Sequence, residues 1–338
     1  MSRGMIPTQG VAYSLLHSWP AAEVSSLRSS TPREAGMGTT ARRHTELLTT
    51  GRSVVRTADL ALLRRYVPCP CDPAPLGHVK LDIEVQTADA WTRYGAHHAT
   101  RGTDVPEVDR LAWGYWLAGP DEELLGDLTG LRVLDLGSGI SKYAAHLARR
   151  GVQVDAVEAS PSQHQRAVAR YGGLPGLRLI CADAVDHLKQ TEPYDVIYSI
   201  HAVPYIDPHR LLPALTLALR PNGRLVFSAL HTNSTGTGPS TTIAVRPEVL
   251  TLPGAEPLSV GMWVLTPNLW MYLLTEHGLV ADRIDVLTYP EGDTPLSCTL
   301  IQARRPLPPS TRTPSLTSRA DTDTTAQPPR SRVSSWGS

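Results

Sequence analysis

The chain has 338 residues, of which 41% are hydrophobic, and this is enough apolar content for a sizeable buried core and excludes a wholly disordered protein. Its 32 basic and 32 acidic residues balance, which disfavours binding to a nucleic-acid backbone, because such binding usually needs a basic excess. No stretch approaches the ~18 consecutive apolar residues of a membrane span, so we expect a cytoplasmic protein without a membrane partner.

The cysteines do not predict a disulfide framework or a metal site. There are four, at Cys69, Cys71, Cys181 and Cys298. A structural zinc site usually takes two C-x-x-C-like pairs, and the Cys69–Cys71 pair has no second pair to join it. The sequence also shows no acidic cluster that would demand Mg²⁺. We therefore predict free thiols and no metal.

The two ends of the chain differ in composition from its middle. Residues 1–85 are rich in Ser, Thr, Arg and Gly, with one helical pattern from Ser53 to Tyr66, and we predict a largely disordered N-terminal extension there. Residues 306–338 are polar and rich in proline. They lack the apolar content that would offset the entropy of ordering them, which predicts a disordered tail. The segment 86–305 is then the folded domain.

In that segment, short apolar runs alternate with helical patterns. The predicted strands are 131–136, 152–157, 177–181, 194–199 and 224–229, and the predicted helices are 141–150, 160–172, 207–219 and 266–278. Two last strands, 280–289 and 296–303, are joined by a polar turn too short for a crossover helix, so they must pair as an antiparallel hairpin. The pattern predicts an α/β protein, a doubly wound mixed sheet with helices on both faces.

Two helix starts carry capping signals. Ser160 precedes Pro161, and Gln163 three residues after Ser160 completes a capping box. Asp207 before Pro208 is likewise predicted to be an N-cap. We interpret these residues as structural.

A glycine-rich loop follows the first strand. It comprises Asp135, Leu136, Gly137, Ser138 and Gly139, and the two glycines allow the backbone to approach a ligand closely. In a doubly wound sheet, ligands bind at this carboxyl edge.

Two acids and a lysine narrow the class of ligand. Glu158, at the end of the second strand, can accept hydrogen bonds from two ribose hydroxyls. Lys142 stands where a dinucleotide-binding fingerprint has Gly or Ala, and Asp135 would repel a pyrophosphate but suits an ammonium group. The ligand should carry a ribose and a cationic end without phosphates, and S-adenosylmethionine meets these conditions.

Several segments together resemble the class I S-adenosylmethionine-dependent methyltransferases. Val133–Gly139 is similar to their first motif, Val157–Ser160 to their second-strand acid, Cys181–Ala184 to their adenine-binding segment, Pro193–Ser199 to their fourth strand and Leu219–Val226 to the block that leads into strand five. The resemblance covers about residues 86–304. It is nearest to the small-molecule, type 11 branch in GC-rich bacteria, which also has a Trp–Tyr pair before the first motif, here Trp91 and Tyr94.

The resemblance implies a seven-stranded sheet of order 3-2-1-4-5-7-6 with strand seven antiparallel, and S-adenosylmethionine as cofactor. The implied cofactor-binding residues are Tyr94, Asp135, Gly137, Ser138, Gly139, Glu158, Ala159, Asp183 and Ala184. One departure is Ser141, which stands where the family motif has its third glycine.

The methyl acceptor is expected over the ends of strands four and five. The candidate side chains there are His201, Tyr205, Asp207 and His231. His201 is the candidate general base, because a histidine titrates near neutral pH, and the alternative is an ordinary loop histidine. Trp263, Trp270 and Tyr272 either line an acceptor pocket or belong to the core, and their helical spacing favours the core.

These observations predict an enzyme that transfers a methyl group from S-adenosylmethionine to an O, N or C nucleophile of a small molecule, as a monomer or weak homodimer. The segment 200–205 lacks the [ND]-P-P-[YF] motif of nucleic-acid N-methyltransferases, which disfavours a nucleic-acid acceptor. The alternative is a non-catalytic partner or regulatory protein that binds S-adenosylmethionine, and both Ser141 and the long N-terminal extension motivate it. An NAD-dependent oxidoreductase is disfavoured by Asp135, by Lys142 and by the terminal hairpin.

Overall fold

The computed structural model describes residues 82–290 and 294–308. The predicted helix Ser53–Tyr66, Cys69 and Cys71 lie outside the described residues, as do nearly all of the predicted extension and tail. Cys181 and Cys298 are both free thiols, as predicted.

Nine strands and six α-helices make up the described part of the chain. The strands are β1 (Arg132–Leu136), β2 (Gln153–Glu158), β3 (Leu177–Cys181), β4 (Tyr194–Ile200), β5 (Leu219–Thr232), β6 (Arg246–Leu252), β7 (Ala255–Met262), β8 (Val280–Thr288) and β9 (Ser297–Arg304). The helices are α1 (Asp82–Thr100), α2 (Lys142–Arg149), α3 (Pro161–Tyr171), α4 (Ala184–Gln190), α5 (Pro208–Ala218) and α6 (Pro267–Glu276). Short 3₁₀ helices cover Glu122–Leu125 and Val203–Tyr205.

Seven of the strands form one mixed sheet in the order β3-β2-β1-β4-β5-β9-β8. Strands β1 to β5 run parallel, and β9 pairs antiparallel with both β5 and β8. Counted within this sheet, β8 is the sixth strand and β9 the seventh. The α/β class and the terminal antiparallel hairpin are therefore confirmed.

The central strands are buried on both faces, because alternate side chains pack into different apolar clusters. Leu134 and Phe227 face one cluster, which also holds Trp263 and Trp270. Their chain neighbours Val133 and Val226 face the other. This is the pattern of a sheet covered by helices on both sides, and it confirms that the two tryptophans belong to the core.

The structure contains elements that the sequence analysis did not predict. Strands β6 and β7 form a separate two-stranded antiparallel sheet between β5 and α6. Helix α1 begins at Asp82, so the boundary predicted at residue 86 falls inside this helix. Strand β5 begins at Leu219, five residues before its predicted start, and it contains an irregularity where the register with β4 shifts and Asn222 has φ of 63°.

Helix α1 is joined to distant parts of the fold by polar contacts. Thr87 accepts a hydrogen bond from the Gly261 amide of β7 at 2.9 Å. Glu84 and Arg210 of α5 are both buried and form an ion pair at 3.1 Å. These contacts hold α1 beside the β6–β7 hairpin and α5, where it forms one wall of the cavity described below.

Candidate functional site

One cavity brings the predicted site residues together. Its volume is about 230 Å³, whereas one water needs only ~10–15 Å³, so it can hold an organic ligand of many atoms. All ten predicted site residues line it: Tyr94, Asp135, Gly137, Ser138, Gly139, Glu158, Ala159, Asp183, Ala184 and His201. They come from α1 and from the carboxyl ends of β1, β2, β3 and β4.

The loop after β1 is held in a tight left-handed conformation. Gly137 has φ of 73° and Gly139 has φ of 56°, values that favour glycine. The amides of Gly137 and Ser138 both donate to the Val157 carbonyl, at 2.9 and 3.0 Å. Ser141 adopts φ of 59°, and its hydroxyl lies 3.0 Å from that of Ser138. The serine that departs from the family motif thus takes up the left-handed geometry of a glycine.

Glu158 ties the end of β2 to this loop. Its Oε2 accepts a hydrogen bond from the Gly139 amide at 2.8 Å, and its Oε1 accepts one from the Ser160 amide at 2.7 Å. Burial raises the pKa of this carboxyl. Each oxygen has a further lone pair for a ligand hydroxyl. The predicted N-cap is confirmed, since Ser160 Oγ accepts a hydrogen bond from the Gln163 backbone amide. In a capping box the Gln163 side chain would accept a hydrogen bond from the Ser160 amide, but here the Glu158 carboxylate accepts it.

Asp135 is buried at the end of β1 and accepts a hydrogen bond from the Tyr198 hydroxyl at 2.9 Å. Burial raises the pKa of its carboxyl from 3.8 to about 7, and the nearby Glu158 adds to the increase. A cation in the cavity would favour the ionised form, because an opposite charge offsets the cost of desolvation.

Asp183 has two roles within the protein. Its Oδ1 accepts hydrogen bonds from the amides of Val185 and Asp186, which makes Asp183 the N-cap of α4. Its Oδ2 lies 3.5 Å from the guanidinium of Arg210. Ala184, the other residue of this segment that the resemblance implies binds the cofactor, begins the same helix.

His201 lies directly after β4 and has φ of 62°. Its ring stacks on that of Tyr115, with centroids 3.9 Å apart and planes at 10°. Its Nδ1 lies 3.4 Å from Ser228 Oγ. Burial lowers the pKa of its imidazole to about 4, against an opposing effect of the Gly114 carbonyl. The ring is therefore neutral at neutral pH and is a weak base.

The family model for a methyltransferase domain matches residues 134–227, which include most of β1, all of β2 to β4 and most of β5. This segment of the chain is therefore similar to a methyltransferase domain. Over 113 residues it is 32% identical to the ubiquinone biosynthesis O-methyltransferase of Aeromonas salmonicida, a match that covers 32% of this chain and 47% of that protein. The chain thus spans about half the length of the curated relatives it matches.

Solved structures with a related fold are more distant. The S-adenosylmethionine dependent methyltransferase of Mesorhizobium loti is 22% identical, with a TM-score of 0.41 over 54% of this chain and 95% of that one. The CcbJ methyltransferase of Streptomyces caelestis is 15% identical, with a TM-score of 0.46 over 64% and 99%. At these values the likeness bears on neither activity nor acceptor.

Of the three remaining candidates for the acceptor site, one lines the cavity and two do not. Tyr205 lines the cavity and is buried. Asp207 is confirmed as an N-cap, because its Oδ1 accepts from the His209 amide at 2.9 Å. His231 does not line the cavity, and its Nδ1 lies 3.0 Å from Thr299 Oγ1.

The cavity is also lined by side chains that the sequence analysis did not predict. Among them are Glu84, Tyr115, Trp116, Arg166 and Arg210. Tyr115 and Trp116 lie in an aromatic-rich stretch, residues 113–116, which was the only local signal. Lys142, which we had used only to disfavour a dinucleotide, also lines the cavity, and burial lowers the pKa of its amine to about 8.

Two further features concern a possible metal-binding group and the helices. Across residues 82–290 and 294–308, the side chains that could together hold a metal ion are His209, Glu276 and His277, whose candidate ligand atoms all lie within 4.8 Å of one another. This group does not line the cavity. None of the helices described is both long and apolar enough to cross a bilayer.

Proposed function

We propose that this protein transfers a methyl group from S-adenosylmethionine to a small-molecule acceptor. The observation that carries the proposal is the convergence of Asp135, the glycine loop and Glu158 on one cavity. These groups match three different parts of that donor.

The described residues fit the donor part by part. The Glu158 carboxylate is suited to the ribose hydroxyls, and the buried Asp135 carboxylate to the ammonium group. Gly137 and Gly139 have no Cβ, so the loop backbone can approach the ligand. Adenine is assigned to Ala184 and the end of β3, because Asp183 already caps α4 and faces Arg210. Tyr94 of α1, whose buried ring packs against Trp91, is assigned to the methionine end.

The donor carries its methyl group on a sulfonium sulfur. A lone pair of the acceptor forms a bond to the methyl carbon while the S–C bond breaks, and both electrons of the S–C bond go to sulfur. The chain therefore has mainly to position the acceptor in line and to exclude water. Because the imidazole of His201 is a weak base, we assign it to holding the acceptor, and the acceptor's proton passes to water or to a stronger base.

The cavity, the balanced net charge and the relatives support a small-molecule acceptor. The relatives are named for ubiquinone biosynthesis, which supports an acceptor of small size. We further propose a cytoplasmic protein that is a monomer or weak homodimer and does not bind nucleic acid. The non-catalytic alternative rests on Ser141 and on the long N-terminal extension, and the left-handed geometry of Ser141 removes the first of these two grounds.

The deciding experiment is calorimetric titration of the full-length protein with S-adenosylhomocysteine, the product form of the donor. We expect micromolar binding by the wild type and strong loss of affinity in Gly137→Arg and Asp135→Ala. Asp282→Ala, which changes an exposed acid of β8, is the matched control and should bind as the wild type does. Absence of binding by the wild type would overturn the proposed function.

A further inference from the structure

Three residues that line the cavity each carry a buried polar atom without a hydrogen-bond partner among the described residues. Tyr115 Oη, His201 Nε2 and Tyr205 Oη are buried and make no hydrogen bond to any residue that the structure describes. A buried polar group without a partner costs stability, and native proteins contain few of them. Because the three residues line the same cavity, we infer that a bound molecule supplies partners to these atoms.

The rings that carry these atoms form flat, fixed walls. Tyr115 stacks on His201 at 3.9 Å between centroids, and the edge of Trp91 meets Tyr205 at 5.4 Å and 81°. We call these four side chains the aromatic subsite. Tyr115 and Tyr205 both line the same cavity.

The aromatic subsite is uncharged at neutral pH. Burial lowers the pKa of His201 to about 4 and raises the pKa of both tyrosines, so all three groups stay neutral. The acid that faces the tyrosines, Glu248 of β6, is already paired with Arg246 at 2.6 Å. The cation that faces His201 is Lys142, at the glycine-loop side. A charged acceptor would lose its hydration here without gaining an opposite charge from the tyrosines.

The aromatic subsite adjoins the proposed donor site directly. Ala202 follows His201, and its Cβ occupies the space that a side chain on Gly137 would need. His201 is thus one residue from a contact with the glycine loop.

We propose that Tyr115, His201 and Tyr205 form the methyl-acceptor subsite and that they select an uncharged, planar, conjugated ring bearing hydroxyl or carbonyl groups. Flat aromatic walls favour a planar ring by stacking and edge contacts. The three unpartnered atoms require hydrogen-bonding substituents, since an acceptor without them would leave the atoms unsatisfied. This inference rests on the proposed function, because it divides the same cavity into donor and acceptor parts.

The test measures binding of simple probes to the full-length protein saturated with S-adenosylhomocysteine. Dihydroxynaphthalene is the planar neutral probe, naphthalene sulfonate the charged planar one, and decalin diol the neutral non-planar one. We expect the first to bind most tightly. Tyr115→Phe and Tyr205→Phe should each weaken its binding by roughly 3- to 10-fold, the effect of one hydrogen bond. Tyr272→Phe, a tyrosine outside the cavity, is the matched control.

A second measurement separates binding from a structural role. Because the hydroxyls of Tyr115 and Tyr205 have no partner in the described structure, their removal should leave the thermal unfolding temperature of the ligand-free protein unchanged or raise it. Lower unfolding temperatures with unchanged probe binding would overturn the inference, and so would equal binding of the three probes. Both results are distinct from loss of S-adenosylhomocysteine binding by the wild type, which overturns the proposed function and this inference with it.

Discussion

A side chain on Gly137 would overlap the Cβ of Ala202, so the loop after β1 and the loop after β4 are in contact where both line the cavity. Gly137 belongs to the proposed donor site, and Ala202 adjoins His201 of the proposed acceptor subsite. Their contact fixes the separation between the two halves of the cavity. The glycine is thus required both by its φ of 73° and by its neighbour.

We expect Gly137→Ala to be destabilising by about 2–5 kcal/mol, the sum of left-handed strain and overpacking. Gly130→Ala is the matched control, because Gly130 has φ of 71° but open space around its Cα, so it should lose only the strain, about 1–2 kcal/mol. Denaturant unfolding measures both. Adding Ala202→Gly to Gly137→Ala should recover the overpacking part, and an equal loss in Gly137→Ala and Gly130→Ala would contradict the contact.

Asp135 makes stability and donor binding depend on pH in opposite directions. Burial raises the pKa of its carboxyl from 3.8 to about 7, so the folded protein retains a proton that the unfolded chain has lost. The free energy of unfolding therefore decreases as the pH rises from about 4 to about 7, and it levels off above that range. We expect Asp135→Asn to unfold at a higher urea concentration than the wild type at about pH 8, with a smaller difference at about pH 5.

The same substitution should weaken binding of S-adenosylmethionine, because the amide offers no negative charge to the ammonium group. The loss should be larger at about pH 8, where the wild-type carboxylate is ionised, than at about pH 6. Calorimetric titration at both values measures it. A pH-independent difference between the two proteins would show that the Asp135 carboxyl does not titrate in this range.

The buried ion pair between Glu84 and Arg210 should contribute strongly to stability. Glu84→Ala leaves a buried guanidinium with only the longer contact to Asp183, and we expect a loss of about 3–5 kcal/mol in the free energy of unfolding. Asp282→Ala breaks an ion pair with Arg304 in which both side chains are about 40% exposed, and it should cost about 0–1 kcal/mol. Denaturant titration measures the free energy of unfolding of both variants. Similar decreases in the two would contradict a strong contribution of the Glu84–Arg210 ion pair to stability.

His201 should remain neutral throughout the physiological range. Because burial lowers the pKa of its imidazole to about 4, its ring proton resonances should not shift between about pH 5.5 and pH 8. Nuclear magnetic resonance can follow them, with His201→Asn identifying the signal, since Asn tolerates the φ of 62° at this position. A midpoint near neutral pH would restore His201 as a general base in place of the positioning role proposed above.

Local signals predicted much of the fold and of the donor site. The buried runs that became β1 to β5 are short, apolar and bounded by turns, and Ser160 and Asp207 cap helices as their neighbours imply. The β8–β9 hairpin followed from the short connection alone. The glycine loop and Glu158 lie close together for a topological reason, since adjacent parallel strands end at the same edge of the sheet.

The acceptor side could not be predicted in the same way, because its residues have no shared local pattern. Tyr115 lies outside the helices and strands, and its role depends on stacking against His201, far along the chain. The β6–β7 hairpin was not predicted from the sequence. Its two strands pair with each other in a separate sheet and do not belong to the alternating pattern of strands and helices that predicted the main sheet.

By itself, the sequence determined the α/β class, the terminal antiparallel hairpin and the position of the glycine loop, because each depends on periodicity, turn chemistry or short connections, whereas the order of the strands followed from the family resemblance. Only the tertiary structure decided that Asp183 caps a helix and faces Arg210, that His201 is deeply buried, and that the hydroxyls of Tyr115 and Tyr205 have no hydrogen-bond partner among the described residues. Desolvation and hydrogen-bond satisfaction depend on what surrounds a group in space, and residues distant in sequence supply those surroundings.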